Sequence, residues 1–236
     1  MAISTLSSPE FLDKVVDFPD GASYELVHPI TDYRACHDGT PLEARILYTC
    51  KWLGSTGDQE YVMKVKVQIP GNSKTDIPKP EEGPSTTTAL ELKALETFRG
   101  ANSAYAPQLL GFKRAVQSDS CPLPGGYLTY TLMNKIPGDT LFNLHFWGLP
   151  EDERRDIVQK FLKILRTIYE LGIQPEDRGL RNIMWDRETK TCNIIDFEMW
   201  KETKQTITDE TKELQRWGLA RSPPQKWWET WFSEGH

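Results

Sequence analysis

The first half of the chain is dominated by short runs in which apolar and polar residues alternate. Alternation of this kind, bounded by turn residues, is typical of β-strands that bury one face. Such runs occur at residues 24–27, 33–36, 43–50 and 60–68, and two further apolar runs, at 108–115 and 127–134, also look like strands. The pattern predicts an antiparallel sheet, which the last two runs complete.

Two segments carry the apolar spacing of helices instead. Residues 69–84 are rich in Pro, Gly, Ser and Lys and predict a loop, after which Thr88 and Glu91 have the spacing of a helix-capping pair. The helix that they begin is predicted to end at Gly100. A longer helix is predicted over residues 150–171, where apolar residues recur every three or four positions.

The apolar pattern breaks at residues 136–140, and this break predicts a division into two lobes. The N-lobe would comprise residues 1–134 and contain the sheet and the first helix. The C-lobe would comprise residues 135–236 and contain the long helix, two short strands at 182–186 and 192–197, and a helical tail rich in tryptophan.

Composition limits the classes of protein to which the chain can belong. Its 236 residues are 38% hydrophobic and 26% charged, the balance of a soluble globular protein. The net charge of -6 and the dispersed Lys and Arg residues argue against nucleic acid as a main partner. No leader peptide and no apolar stretch long enough to span a bilayer is seen, so a cytoplasmic protein without membrane contact is expected. The four cysteines lack the spacing of a zinc site or a disulfide framework.

Three polar residues that suit catalysis are brought close together by the order of the predicted elements. The long helix leads into a loop that contains the pattern D-x-x-x-x-N, formed by Asp177 and Asn182. A β-hairpin follows at once, and Asp196 comes at the end of its second strand, directly before Phe197. We expect the side chains of Asp177, Asn182 and Asp196 to converge at the mouth of one cleft.

This order of motifs resembles the catalytic core of the protein-kinase-like superfamily. It is nearest the branch of choline kinases and aminoglycoside phosphotransferases, which includes small fungal kinase-like proteins. The resemblance implies an α+β, bilobal protein-kinase-like fold, with an antiparallel β-sheet N-lobe carrying one helix and a reduced, mainly helical C-lobe. It also implies that Asp177 orients or deprotonates an acceptor hydroxyl, whereas Asn182 and Asp196 hold Mg²⁺ on the phosphates of ATP.

The resemblance extends to a lysine in the N-lobe. The segment Tyr61-Val-Met-Lys64-Val resembles the strand whose lysine contacts the ATP phosphates, and Glu91 would be the ion-pair partner of that lysine. Helix capping is an equally good explanation of Glu91. Lys66 lies on the same strand face as Lys64, so either lysine could supply the functional amine.

Several positions depart from the family pattern. Pro175 stands where the family has a histidine, and the turn at residues 37–41, which would cover the phosphates, has one glycine where protein kinases have three. Glu198 replaces the glycine of Asp-Phe-Gly, which is usual in the choline-kinase-like branch and favours a small acceptor. The short stretch after Glu198 leaves little room for the elements that bind peptide substrates, so a protein kinase is not expected.

Three hypotheses about function follow. The first is an ATP- and Mg²⁺-dependent phosphotransferase that acts on a small hydroxylated molecule. The second is a pseudokinase that binds or scaffolds a partner. The third is a kinase-fold enzyme reused for non-phosphoryl chemistry on an apolar metabolite, with Asp177 or Glu176 as acid or base.

The aromatic residues near the C-terminus suit packing against the C-lobe, the wall of an apolar pocket or contact with a partner. A homo-oligomer formed through this tail is one form of the last alternative. The tryptophans concerned are Trp200, Trp217, Trp227, Trp228 and Trp231.

Overall fold

The computed structural model describes residues 9–36, 39–71 and 79–221, which divide into two compact units. The first unit contains the chain up to Ile136 together with Asp196–Trp200. The second unit contains Pro137–Ile195 and the chain from Lys201 onward. Among the described residues, no helix has both the length and the apolar character that crossing a bilayer requires.

The first unit is built on a seven-stranded antiparallel sheet. Its spatial order is β1-β2-β4-β5-β7-β6, with β3 paired to β4. Each of the six predicted strands is present, whereas β1 is too short to show a pattern in the sequence. The strands are β1 (Val15–Asp17), β2 (Ser23–Pro29), β3 (Arg34–Cys36), β4 (Glu43–Trp52), β5 (Glu60–Gln68), β6 (Leu109–Val116) and β7 (Tyr127–Asn134).

Alternation along the central strand β5 determines which residues meet the hydrophobic core. Met63, Val65 and Val67 are fully buried in the cluster that fills one face of the sheet. Lys64 and Lys66 therefore point to the opposite face, because successive side chains of a strand alternate between faces. Both lysines are also buried. A central strand with two buried faces explains why two ammonium groups lie inside this unit.

The helix of the first unit, α1 (Thr86–Gly100), begins earlier than the sequence predicted. Ser85 is the N-cap, and its Oγ accepts a hydrogen bond of 3.2 Å from the backbone N–H of Thr88. The predicted capping pair of Thr88 and Glu91 is therefore wrong, because both residues lie within the helix. Glu43, which is distant in sequence, stabilises Ser85 as the cap, because Ser85 Oγ donates a hydrogen bond to Glu43 Oε2 at 2.6 Å.

The described residues of the second unit form two α-helices and several short strands. In one small sheet, β10 lies between β8 (Asp139–Thr140) and β11 (Thr191–Ile194). In the other, β9 (Ile173–Pro175) pairs with β12 (Trp200–Glu202). The last two residues of β12 belong to this unit. The predicted long helix is present as α2, and Trp217 at the end of α3 packs edge-on against Phe161 of α2 with ring centroids 5.1 Å apart. The elements are β8 (Asp139–Thr140), α2 (Glu151–Glu170), β9 (Ile173–Pro175), β10 (Ile183–Asp186), β11 (Thr191–Ile194), β12 (Trp200–Glu202) and α3 (Glu210–Trp217).

The rest of the predicted aromatic tail, with Trp227, Trp228 and Trp231, lies outside the described residues. The mainly helical composition of the C-lobe and an oligomer formed through the tail stay predictions.

Residues 196–200 group with the first unit, although the sequence placed everything after residue 134 in the C-lobe. The reason is their contacts with α1. The ring of Phe197 packs edge-on against that of Phe98, with ring centroids 4.6 Å apart. Trp200 Nε1 donates a hydrogen bond of 2.8 Å to the carbonyl oxygen of Leu90. These contacts hold the chain on either side of Glu198 against the first unit.

Gly138 offers a test of close backbone packing in the second unit. It has a φ of 86°, and a Cβ at this position would overlap the backbone of Trp185. We expect Gly138→Ala to lower the free energy of unfolding by about 2–4 kcal/mol, because the change adds left-handed strain and an overlap with backbone. Urea denaturation measures this loss. Gly21→Ala is the control, since Gly21 has a φ of 87° but open space around its Cα. Equal losses in both variants would contradict the packing argument.

Candidate active site

A cluster of charged side chains fills the face of the first unit's sheet that carries Lys64. The amine of Lys64 donates to Glu91 Oε1 at 2.5 Å, to Glu198 Oε1 at 2.9 Å and to Asp196 Oδ1 at 3.3 Å. The side chain of Lys64 is 5% exposed and that of Glu91 is 4% exposed. Three carboxylates from distant parts of the chain therefore surround one buried amine.

The neighbouring carboxylates keep this buried amine charged. Burial alone would lower the pKa of Lys64, but Asp196, Glu198 and Glu91 raise that pKa well above its ordinary value. Burial also raises the pKa of Glu91, against the opposing effect of Lys64. Lys64 is thus held as an ammonium ion whose position is fixed from three sides.

Glu198 connects Lys64 to two further cations. Its Oε1 lies 2.7 Å from Arg45 Nη1 and 3.2 Å from Lys66 Nζ. Burial would raise the pKa of Glu198, but Lys64, Lys66 and Arg45 lower it far below its ordinary value. Sequence reasoning missed Arg45 and this role of Glu198. The sequence offered one indication, the position of Arg45 within the alternating strand β4. In the structure, the register of β4 and β5 places Arg45 directly opposite Lys66.

Lys64 and Lys66 differ in their partners. Lys66 Nζ lies 3.6 Å from Glu43 Oε2. It donates no hydrogen bond to any of the described residues. Glu43 in turn accepts hydrogen bonds from Ser85 Oγ at 2.6 Å and from Tyr127 OH at 2.8 Å. Lys66 therefore faces a carboxylate engaged at the start of α1, whereas Lys64 faces Glu91 and Asp196.

Asp196 has an unusual backbone conformation. Its φ of 64° lies in the left-handed region, which costs a residue other than glycine of the order of 1–3 kcal/mol. The residues that follow Asp196 are anchored on α1 through Phe197 and Trp200. The side chain of Asp196 is 21% exposed, much more than that of Lys64. Asp196 is thus the carboxylate of the cluster with most access to a ligand.

Three carboxylates of the cluster lie close enough together to be considered as ligands of a divalent cation. Glu91, Asp196 and Glu198 each place one oxygen within 4.8 Å of the others, a spacing that would suit a metal ion. The ammonium of Lys64 already satisfies Glu91 and Glu198, and a second cation between them would be repelled. Asp196 fits a metal better, because its contacts with Lys64 and Arg45 are the longer ones, at 3.3 and 3.6 Å.

The second unit places Asp177 and Asn182 in contact with each other. Asn182 Nδ2 donates to the backbone oxygen of Asp177 at 2.9 Å and to its Oδ2 at 3.1 Å. Asn182 is buried, and its backbone oxygen accepts a bond from the N–H of Ile195. Its carboxamide oxygen is the atom turned away from Asp177, and an oxygen of this type suits Mg²⁺.

Arginines flank this loop, and each pairs with a carboxylate of the second unit. Arg181 pairs with Asp177, and Arg178 Nε lies 3.8 Å from Glu213 Oε2. Glu176 pairs instead with Lys201 at 3.2 Å. Asp177 therefore has both a fixed orientation and a neighbouring positive charge.

A pocket of about 370 Å³ opens beside the same loop. Arg181, which pairs with Asp177, forms part of its wall, whereas Asp177 itself does not line it. Its other lining residues come from the loop itself, from the end of α3 and from the segment after β8. They are Phe142, Gly179, Leu180, Gln215, Arg216, Trp217 and Gly218.

Comparisons with known proteins bear on the family. No family model matches the chain. A segment of 73 residues, 30% of the chain, is 34% identical to the probable serine/threonine-protein kinase fnkB of Dictyostelium discoideum. The match spans only 14% of that kinase. The kinase PK-1 of Cydia pomonella granulovirus matches 79% of the chain and 55% of its own, with 18% identity and a TM-score of 0.49.

The chain thus has a segment similar in sequence to a kinase. Its mixed α/β fold, with an antiparallel sheet and the helix α1 in the described part of the first unit, is compatible with the N-lobe of a kinase. Assignment to the branch of choline kinases and aminoglycoside phosphotransferases, and a fungal origin, stay predictions.

Proposed function

We propose that the protein is an ATP- and Mg²⁺-dependent phosphotransferase that acts on a small hydroxylated molecule. One observation carries the proposal. Lys64, Glu91 and Asp196, which the kinase-like motifs single out, lie as far as 132 residues apart in sequence, yet the amine of Lys64 contacts both carboxylates. Three motif residues in one contact cluster are difficult to explain as unrelated surface charges.

In this proposal the first unit binds the nucleotide. Lys64 contacts the phosphates, and Glu91 holds the lysine in place. The kinase-like motifs assign Mg²⁺ to Asp196 and Asn182, since each offers an oxygen of the kind that this ion prefers. When bound, Mg²⁺ neutralises the charge that develops on the phosphoryl oxygens.

The second unit acts on the acceptor. Asp177 accepts a hydrogen bond from the acceptor hydroxyl and takes up its proton as the phosphoryl group is transferred. The hydrogen bond from Asn182 Nδ2 to Oδ2, together with the pairing of Arg181 with Oδ1, fixes the carboxylate of Asp177 in one orientation. Its side chain is 31% exposed, so an acceptor can reach it.

The pocket beside Arg181 supports an acceptor of small size. Its volume of about 370 Å³ falls within the range of small-molecule sites, about 300–1,000 Å³. Leu180 and Trp217 supply apolar surface, whereas Gln215 and Arg216 supply polar groups that can select among hydroxylated molecules.

Transfer of the γ-phosphate of ATP to a panel of small hydroxylated metabolites tests the proposal. We expect transfer in the presence of Mg²⁺ that is lost with EDTA and lost in Asp196→Ala. Binding is measured separately by thermal shift, because a ligand at 100 times its Kd stabilises a protein by about 2.7 kcal/mol. Transfer that survives in Asp196→Ala would remove the proposed mechanism.

The contacts of Glu198 favour a second candidate, a pseudokinase. Its carboxylate already engages Lys64, Lys66 and Arg45, the cations that a nucleotide would need. A protein with this cluster permanently closed would bind a partner without turning over ATP. Absence of any thermal shift with millimolar ATP, with and without Mg²⁺, would favour this candidate.

A further inference from the structure

Three cations of the first unit converge on a single oxygen atom. Glu198 Oε1 lies 2.7 Å from Arg45 Nη1, 2.9 Å from Lys64 Nζ and 3.2 Å from Lys66 Nζ. The cations come from the two adjacent strands β4 and β5, whereas Glu198 comes from a segment more than 130 residues later. We call Arg45, Lys64 and Lys66 the cation cradle.

The cradle has the chemistry of a phosphate site. A guanidinium and two ammonium groups within 3.2 Å of one oxygen are the kinds of cation that proteins use to bind phosphoryl oxygens. The three donors lie on adjacent strands and are largely buried, with side-chain exposures of 19%, 5% and 2% for Arg45, Lys64 and Lys66. The strands β4 and β5 therefore position the three cations, and Glu198 is not part of either strand.

We propose that Glu198 Oε1 occupies the place of a phosphoryl oxygen, and that nucleotide phosphates bind to the cradle by displacing this carboxylate. The inference rests on the proposed function, and it adds that the Glu198 carboxylate competes with the phosphates for the cradle. Glu198 sets the affinity for phosphate, because every phosphate that enters must replace its three charge-assisted contacts.

The surroundings of Glu198 allow its side chain to leave without the backbone. Phe197 packs on Phe98 and Trp200 donates to Leu90, so the segment stays anchored on α1. Glu91 remains on Lys64 when Glu198 withdraws, which keeps that amine in place. The exchange replaces one anion by another, so the three cations keep an anionic partner.

Binding of inorganic tripolyphosphate without metal tests the inference, measured by calorimetry on the full chain. Glu198→Gln removes the competing charge, and we expect it to bind tripolyphosphate about tenfold more tightly than the unchanged protein. Glu60→Gln is the matched control. It removes one negative charge from the same sheet, at the start of β5, where Glu60 pairs with Lys135 rather than with the cradle. We expect its affinity to stay unchanged.

Glu198→Asp provides a second variant that keeps the charge of the cluster. Its shorter side chain withdraws the carboxylate from the cradle, so a smaller gain in affinity is expected. If Glu198 has a structural role alone, Glu198→Gln lowers the melting temperature and tripolyphosphate binds no more tightly to either variant. That result would overturn the inference.

The outcome also separates this inference from the proposed function. Tighter binding of tripolyphosphate to the Glu198 variants, with no phosphoryl transfer by any form of the protein, would support the cradle and remove the phosphotransferase. Transfer by the unchanged protein, with equal affinity in all variants, would support the phosphotransferase and overturn the competition.

Discussion

Replacement of Asp177 by Asn is expected to slow phosphoryl transfer by about 10²- to 10⁴-fold, the usual contribution of a positioned acid or base. The change removes the negative charge that would accept the hydroxyl proton but keeps the size of the side chain. The side-chain oxygen of an Asn can still accept the bond from Asn182, so the loop should keep its structure. The measurement is the rate of transfer to the acceptor at saturating ATP.

The neighbouring carboxylate supplies the control. Glu176→Gln removes the same charge one residue earlier in the same loop, where the side chain pairs with Lys201 rather than with Asn182. We expect its rate to stay close to that of the unchanged protein. A large loss in Glu176→Gln, with little loss in Asp177→Asn, would instead assign the acid or base role to Glu176.

The sheet and the long helix could be predicted because their patterns are local. Strands such as β4 and β5 alternate over nine or ten residues, and α2 repeats its apolar stripe over 20 residues. Each pattern reports which side of the element meets the core. The sequence order of the strands does not give their spatial order, in which β7 lies between β5 and β6.

The start of α1 shows where local patterns fail. Thr88 and Glu91 have the spacing of a capping pair, but Ser85 is the cap, since Glu43 binds its hydroxyl from 42 residues upstream. Glu91 is then free to pair with Lys64. A buried carboxylate with several donors outweighs the few tenths to 2 kcal/mol that separate competing caps.

The pairing of Lys64 with Glu91 could be predicted from the sequence, but the surroundings of this pair could not. Lys64 was recognisable from its strand, and its pairing with Glu91 is present in the structure. The convergence of Asp177, Asn182 and Asp196 on one cleft stays a prediction. Arg45 and the position of Glu198 depend on strand register and on tertiary contacts, which a single sequence does not display.

The buried amine of Lys64 leads to the largest expected effect on stability. Lys64→Met removes the ion-pair partner of Glu91, which is 4% exposed, and one donor each to Asp196 and Glu198. We expect the free energy of unfolding to fall by about 3–5 kcal/mol, the usual cost of leaving one partner of a buried ion pair without the other. Urea denaturation followed by tryptophan fluorescence measures the change.

Lys66→Met is the matched control, because Lys66 lies two residues along the same face of β5. Its contacts with Glu198 and Glu43 are longer, at 3.2 and 3.6 Å, and both carboxylates keep other donors when it is removed. The apolar Met also occupies a position that is 2% exposed. A smaller loss of stability is therefore expected. If Lys66→Met costs as much as Lys64→Met, then the two amines share the cluster equally, and the assignment of Lys64 as the phosphate-binding lysine loses its physical basis.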